Sequence, residues 1–159
     1  MKPLRPAVLV AFIAVTFAAA AIGSTATFRN VTTWYPTLQK PTWTPPSALF
    51  GPVWSALYLA MSIAGWRAWR SAPSAAATAG VIRLYGAQLI LNALWSVLFF
   101  GMRRPDLALI NIIALWLLLL LGLVRFWRLD RIAGILWAPY LAWVTFATAL
   151  NASIWSLNR

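Results

Sequence analysis

LALINIIALWLLLLLGLVRF, residues 107–126, decides how the rest of the chain is read. It carries one amide, Asn111, and one charge, Arg125, near its far end. A helix crossing a hydrocarbon core of about 30 Å needs roughly 20 mainly apolar residues, and this run is that long. On its C-terminal side a short charged turn leads to a second apolar run, 132–157, interrupted by Pro139. On its N-terminal side a tight basic turn, 103–106, separates it from the run 84–102. Before that come 49–69, where Pro52 suits a first helical turn, and 6–28. The Ser-, Ala- and Pro-rich stretch 70–80 reads as a loop. Five spans in 159 residues make an all-α membrane protein, a bundle of five transmembrane helices in a single domain, 1–159. Composition agrees: with 62% hydrophobic and 9% charged residues, a water-soluble domain could not cover itself with polar surface.

The first run, with Lys2 and Arg5 before it and small residues 18–23 near its end, shares features with a cleaved signal peptide. Its length and the four further spans favour a membrane helix. Pro139 should kink the last helix and free a backbone carbonyl. No internal repeat of the transporter kind is visible, and an odd number of spans argues against two simple halves.

Thirteen basic residues against two acids give a formal charge of +11. They sit at the ends of apolar runs and form no stripe, so nucleic acid is not an expected partner. With five spans, Lys2, Arg5, Arg67, Arg70, Arg83, Arg125, Arg128 and Arg131 share one side, and Arg29, Lys40, Arg103, Arg104 and Arg159 the other. The excess places the N-terminus in the cytoplasm by the positive-inside rule. Absent residue types exclude several chemistries. Without cysteine there is no disulfide, thiolate metal site or cysteine nucleophile. Without histidine, and with only Asp106 and Asp130 as acids, a conventional zinc site and a Ser-His triad are excluded. Both acids lie beside arginines at predicted helix ends and are expected to pair or to be solvated there. No metal is expected.

The longest connection, 29–46, holds Pro36, Pro41, Pro45 and Pro46 with Trp34, Tyr35 and Trp43. The prolines forbid a continuous helix, and the three aromatics suit either a lid or a belt at headgroup depth. Within the spans, polar side chains are costly and mark helix contacts or a site; Gln88, Asn92, Asn111 and Asn151 stand out. Gln88, Asn92, Trp95 and Phe99 fall at i, i+4, i+7 and i+11, on one helical face. Tyr140, Trp143, Ala147 and Asn151 repeat the device on the last span, and Trp54, Tyr58 and Met61 on the second. Facing one another, these stripes would form a pocket that stacks on a flat hydrophobic ligand and orients it through the amides. Core packing would produce the same stripes, although 11 tryptophans exceed what packing in lipid normally uses. Residues 117–121 read as lipid-facing or packing leucines.

Four blocks carry a specific resemblance: WYPTLQKPTWTPP (34–46), VWSALYLAM (53–61), NALWSVLFF (92–100) and PYLAWVTFATALN (139–151). In this order they resemble the tryptophan-rich sensory protein and translocator protein family, and they cover most of the chain after Phe28. The resemblance implies a five-helix bundle, commonly a homodimer. Its pocket is closed by the first loop and binds porphyrins, haem-like tetrapyrroles and synthetic benzodiazepine-site ligands. Trp34, Tyr35 and Trp43 match the loop positions. Trp54 and Trp143 match pocket tryptophans linked to light-dependent porphyrin breakdown. Asn92, Trp95, Ala147 and Leu150 match positions lining or flanking the cavity. A bacterial member in the cell envelope is the expected setting. The sterol-recognition pattern of animal members needs a Tyr near the end of the last helix. Residues 150–159 have none, which argues against sterol binding by that route.

The leading functional reading is a receptor or sensor that binds porphyrin without any required cofactor and affects its transport or turnover. Trp54, Tyr58, Trp95 and Trp143 are the expected ring contacts, Phe99 and Asn151 further lining residues, and Asn92 the polar anchor. A photo-oxidative enzyme using Trp54 and Trp143 is the alternative. Transport is another, though no ionisable group within the membrane is available to couple a gradient. A scaffold packed through small-residue pairs such as Ala19 with Gly23 or Ala60 with Ala64 is the last. Without histidine, haem would lack its usual axial ligand, which favours metal-free porphyrin.

Overall fold

A computed structural model describes residues 3–159; Lys2, counted above among the basic residues, lies outside them. Five long helices follow one another: α1 (Pro6–Val31), α2 (Phe50–Ser71), α3 (Ala75–Ser96), α4 (Pro105–Leu129) and α5 (Arg131–Leu157). All are long and apolar enough to cross a membrane. Pro6 and Pro105 occupy first-turn positions of α1 and α4, where the missing N–H is no loss. A five-residue π-helical segment, Val97–Gly101, continues α3. The α1–α2 connection contains two single-turn 3-10 segments, Tyr35–Thr37 and Ser47–Leu49.

Several helix boundaries differ from the sequence expectation. The α1 helix takes in Arg29, Asn30 and Val31, so the aromatic connection starts later than residue 29. The expected loop 70–80 shrinks to residues 72–74, because α3 begins at Ala75 rather than near Leu84. Ser74 accepts a hydrogen bond from the Ala77 N–H at 3.1 Å, and an alanine run behind such a cap is a strong helix start. The α4 helix starts at Pro105 and continues to Leu129, absorbing much of both flanking charged turns. The α5 helix runs through Pro139 without interruption, and the Ile135 carbonyl loses its normal donor there.

Small residues set the spacing between helices. Gly122 on α4 lies against the Trp137 indole of α5, where an added Cβ would stand 3.0 Å from Nε1. Trp137 is fully buried, donates to the Leu119 carbonyl at 3.0 Å and meets Phe126 edge-on at 4.7 Å. Gly65 does the same on α2, facing the rings of Tyr85 and Phe12. The Tyr85 hydroxyl is 2.6 Å from Thr16 Oγ1, so a buried hydrogen bond joins α1 to α3 while the Tyr85 ring packs on Gly65 of α2.

Asp130 closes the other junction. Its carboxylate accepts from the Ala133 N–H (3.1 Å) as the N-cap of α5 and pairs with Arg67 of α2 at 2.8 Å. Burial pushes this carboxyl's pKa up, but the hydrogen bonds from Arg67 and Ala133 outweigh that and hold it below the ordinary carboxylate value. Asp106 pairs instead with the adjacent Arg104, at 2.6 Å.

Two predictions follow from these junctions. Gly122→Ala should destabilise the protein by about 1–3 kcal/mol, because the buried indole cannot yield. Gly86→Ala, whose Cβ would meet nothing within 4 Å, should be neutral or slightly stabilising; unfolding in detergent compares the two. The folded Asp130 carboxyl titrates below its unfolded value of about 3.9. Its stabilisation is therefore complete above that value and lost as the pH falls through the folded one. The melting temperature should hold from neutrality to about pH 4 and then drop. Asp130→Asn should start lower and show a shallower acid decline; an equally steep decline would assign the acid sensitivity to Asp106.

Candidate functional site

The amides at membrane depth organise the interior. Asn92 on α3 accepts from the Tyr58 hydroxyl of α2 at 3.2 Å and donates to the Tyr140 hydroxyl of α5 at 2.9 Å. Tyr140 in turn donates to Gln88 Oε1 at 3.0 Å, and Gln88 Nε2 reaches Met61 Sδ at 3.8 Å. Lower on the same faces, Asn151 accepts from the Trp95 indole N–H at 2.9 Å and donates to the Pro105 carbonyl at 2.8 Å. Asn111 ties α4 to α3 by donating to the Leu91 carbonyl, also at 2.9 Å. Each amide therefore joins at least two helices.

Beside this network lies a cavity of about 570 Å³. Ten aromatic side chains contribute to its wall. Trp54 and Tyr58 stack at 5.3 Å with a 30° tilt, Trp95 and Phe99 at 5.1 Å and 23°, and Trp143 faces Phe50 edge-on at 6.0 Å. Ala147, Leu150 and Asn151 complete the α5 side, and Ile112 and Leu115 of α4 supply an aliphatic floor. Tyr35, from the connection, closes one end over Phe99 and Phe100.

That cover is pinned. Lys40 Nζ donates to the carbonyls of Tyr35 (2.9 Å) and Leu38 (2.8 Å) and stands 4.9 Å from the Tyr35 ring centre. Asn158, past the end of α5, exchanges two hydrogen bonds with the Gln39 backbone, at 2.9 and 2.8 Å. Burial raises the pKa of the Tyr35 hydroxyl, so it remains a neutral donor.

Of the residues singled out from sequence, Tyr35, Trp54, Tyr58, Asn92, Trp95, Phe99, Trp143, Ala147, Leu150 and Asn151 line this cavity, and Trp34 and Trp43 do not. Trp34 packs on Phe99 from outside at 5.7 Å. Trp43 is 47% exposed and leans on Phe146 at 5.7 Å. Gln88 and Met61 share the expected faces but sit behind the wall, fully buried. Sequence reasoning missed the contribution of α1: Phe17, Ala20, Ala21, Ser24, Thr27 and Phe28 form a whole side. Their spacing, i, i+3, i+4, i+7, i+10 and i+11, is a single helical face, with Ser24 and Thr27 as its polar marks.

The arrangement can stack on a planar hydrophobic molecule and offer it a small number of hydrogen bonds. Asn92 spends one amide hydrogen on Tyr140 and keeps the other, and its oxygen retains a lone pair beyond the Tyr58 bond. Among the described residues no group of three or more His, Cys, Asp or Glu could hold a metal ion. The wall offers neither imidazole nor thiolate to a metal at the centre of such a ligand.

The family model described as "TspO/MBR family" matches residues 12–156. A tryptophan-rich protein TspO from Archaeoglobus fulgidus is 41% identical over 150 residues, 94% of this chain and 96% of the relative. Protein CrtK from Rhodobacter capsulatus is 37% identical over 141 residues, 89% of this chain and 88% of the relative. The translocator protein of Homo sapiens is 37% identical over 127 residues, 79% of this chain and 75% of the relative. With its five apolar spans and its near end-to-end match, this chain belongs to the TspO/MBR family of multi-pass membrane proteins.

Proposed function

We propose that the protein is a membrane receptor or sensor for porphyrins and related tetrapyrroles, binding them in the aromatic cavity and thereby affecting their transport or turnover. One observation carries this reading: a cavity of about 570 Å³ whose walls are the stacked pairs Trp54/Tyr58 and Trp95/Phe99 together with Trp143. Ligand sites commonly span about 300–1,000 Å³ and combine apolar walls with a few placed polar groups. A tetrapyrrole is flat, aromatic and mostly apolar, and its edge carries the polar groups that Asn92 could anchor. The wall's lack of imidazole and thiolate favours the metal-free ring. The curated relatives bear the words "sensory" and "translocator" in their names, in keeping with a protein that binds a small molecule in the membrane. The arginine excess on the N-terminal side supports a cytoplasmic N-terminus.

A second reading draws on Trp54 and Trp143, which both line the cavity. A porphyrin held there and excited by light in the presence of oxygen would have two indoles available as electron donors, making the site one of photo-oxidative breakdown.

Titration of the purified protein with protoporphyrin in the dark, followed by tryptophan quenching, tests the first reading. Saturable binding at micromolar or tighter, about 8 kcal/mol or more, is expected. Trp143→Phe should weaken it by about 0.5–1.5 kcal/mol through lost stacking area. Asn92→Ala should weaken it by a similar amount through the lost hydrogen bond. Trp155→Phe, on the outer surface, should leave it unchanged. Non-saturating partition that ignores these substitutions would reduce the aromatic wall to packing. For the second reading, illuminated samples of wild type and of a variant with both Trp54 and Trp143 changed to Phe should give different porphyrin products; identical products would exclude the photochemical role.

A further inference from the structure

We propose that the arginine-rich end of the bundle binds the headgroup of an anionic phospholipid, with the phosphate on Arg125. The alternating direction of the five helices brings Arg5, Arg67, Arg70, Arg125, Arg128 and Arg131 to one end, with Arg83 about two turns into α3 from it. Asp130 is the sole acidic side chain there among the described residues, and it is already engaged by Arg67 and the start of α5.

The two ends differ in how many of their cations are satisfied: at the opposite end Arg29 alone lacks a hydrogen-bond, ion-pair or ring partner among the described residues. At the opposite end Arg103 donates twice to Asn30 Oδ1, at 3.2 and 2.9 Å. There too Arg104 is held by Asp106, Lys40 by backbone carbonyls, and Arg159 lies over Trp155 at 5.2 Å. At the arginine-rich end, Arg83, Arg125, Arg128 and Arg131 have no hydrogen-bond or ion-pair partner among the described residues.

Arg125 differs from the other three in being half-buried. Its guanidinium is seated on the backbone of α3 at Gly80, where any Cβ would collide with it. No acceptor among the described residues takes its hydrogens, so its N–H groups are open to an incoming anion. Its planar fork matches phosphate oxygens.

The surface next to it specifies a lipid rather than a soluble phosphate. Leu121 and Leu117 precede Arg125 at i−4 and i−8 on the same face of α4, and each is 56% exposed. A headgroup on Arg125 would leave its acyl chain lying along these aliphatic side chains, at the depth where polybasic membrane-proximal segments attract anionic lipid.

The test uses the full-length protein in mild detergent and counts bound lipid by native mass spectrometry, comparing phosphatidylglycerol with phosphatidylcholine of the same acyl chains. Wild type should retain phosphatidylglycerol preferentially. Arg125→Gln should weaken that retention about fivefold, the worth of one arginine at an anionic membrane surface. Gly80→Ala keeps every charge and displaces only the flexible end of Arg125, so it should fold normally and weaken retention comparably. Arg159→Gln removes the same charge from the opposite end and should change nothing. The proposal is overturned by equal retention of the two lipids, by undiminished retention in Arg125→Gln and Gly80→Ala, or by an equal effect of Arg159→Gln. Displacement of the lipid by inorganic phosphate at matched concentration would also overturn it, marking a site for a free anion.

Discussion

No water reaches the hydrocarbon layer, so every polar group at that depth must find its partner inside the bundle. The rest of this structure depends on how four amides meet that requirement. Gln88 and Asn92 are joined through the Tyr140 hydroxyl, Asn151 is held by Trp95 and the Pro105 carbonyl, and Asn111 reaches the Leu91 carbonyl. Every one of these bonds crosses between elements. A rotation of α3 or α5 about its own axis would break several at once, each leaving an unsatisfied group in lipid at a cost of about 1–3 kcal/mol. Helix rotation is thereby fixed, and with it the direction in which Trp54, Tyr58, Trp95 and Trp143 point.

A bundle whose central amides are all paired would normally also close its volume. Here the space is kept open by the size of the residues that face it. The α1 wall is built on Ala20, Ala21, Ser24 and Thr27, and Ala147 stands among the rings on α5. The aromatic rings cannot collapse into that space, because they are paired with one another at fixed angles and joined by hydrogen bonds to the amides. The π-helical segment adds to this. Met102 N–H bonds five residues back to the Val97 carbonyl at 2.8 Å, widening the turn so that adjacent Phe99 and Phe100 are both buried and both line the cavity. Such wide turns are rare and recur at functional sites.

Five helices were legible in the sequence because length and apolarity alone report a membrane span. Their ends were less legible, since they depend on local chemistry that a hydropathy pattern does not weigh. Ser74 capping an alanine run moved the start of α3 back by nine residues, and the charged turns were absorbed into α4 because a helix end can carry arginine into the headgroup region. The site was readable where it rests on periodicity, as for the faces of α2, α3 and α5. Those faces could not say which member of a stripe touches the cavity and which stands behind it. Gln88 and Met61 keep the period of Asn92 and Tyr58, yet Gln88 spends its amide on Met61 and on the Tyr140 hydroxyl rather than on the cavity. The α1 wall kept a helical period too, but its small and weakly polar residues look like ordinary close-packing positions when seen alone.

In the proposed binding mode, Asn92 is where stability and binding meet. Its oxygen is shared with Tyr58 and one amide hydrogen with Tyr140, so its orientation is set before any ligand arrives. A ligand taking the remaining hydrogen then gains a bond without the protein ordering a side chain, which lowers the cost of association. The same economy explains why the anchor is an amide. A serine at this position could bridge two tyrosines but would have no hydrogen left to give a ligand, and a carboxylate would carry a charge that the surrounding lipid and aromatic rings could not stabilise. Binding by the proposed mode would therefore draw on the spare capacity of groups already needed to hold the helices together.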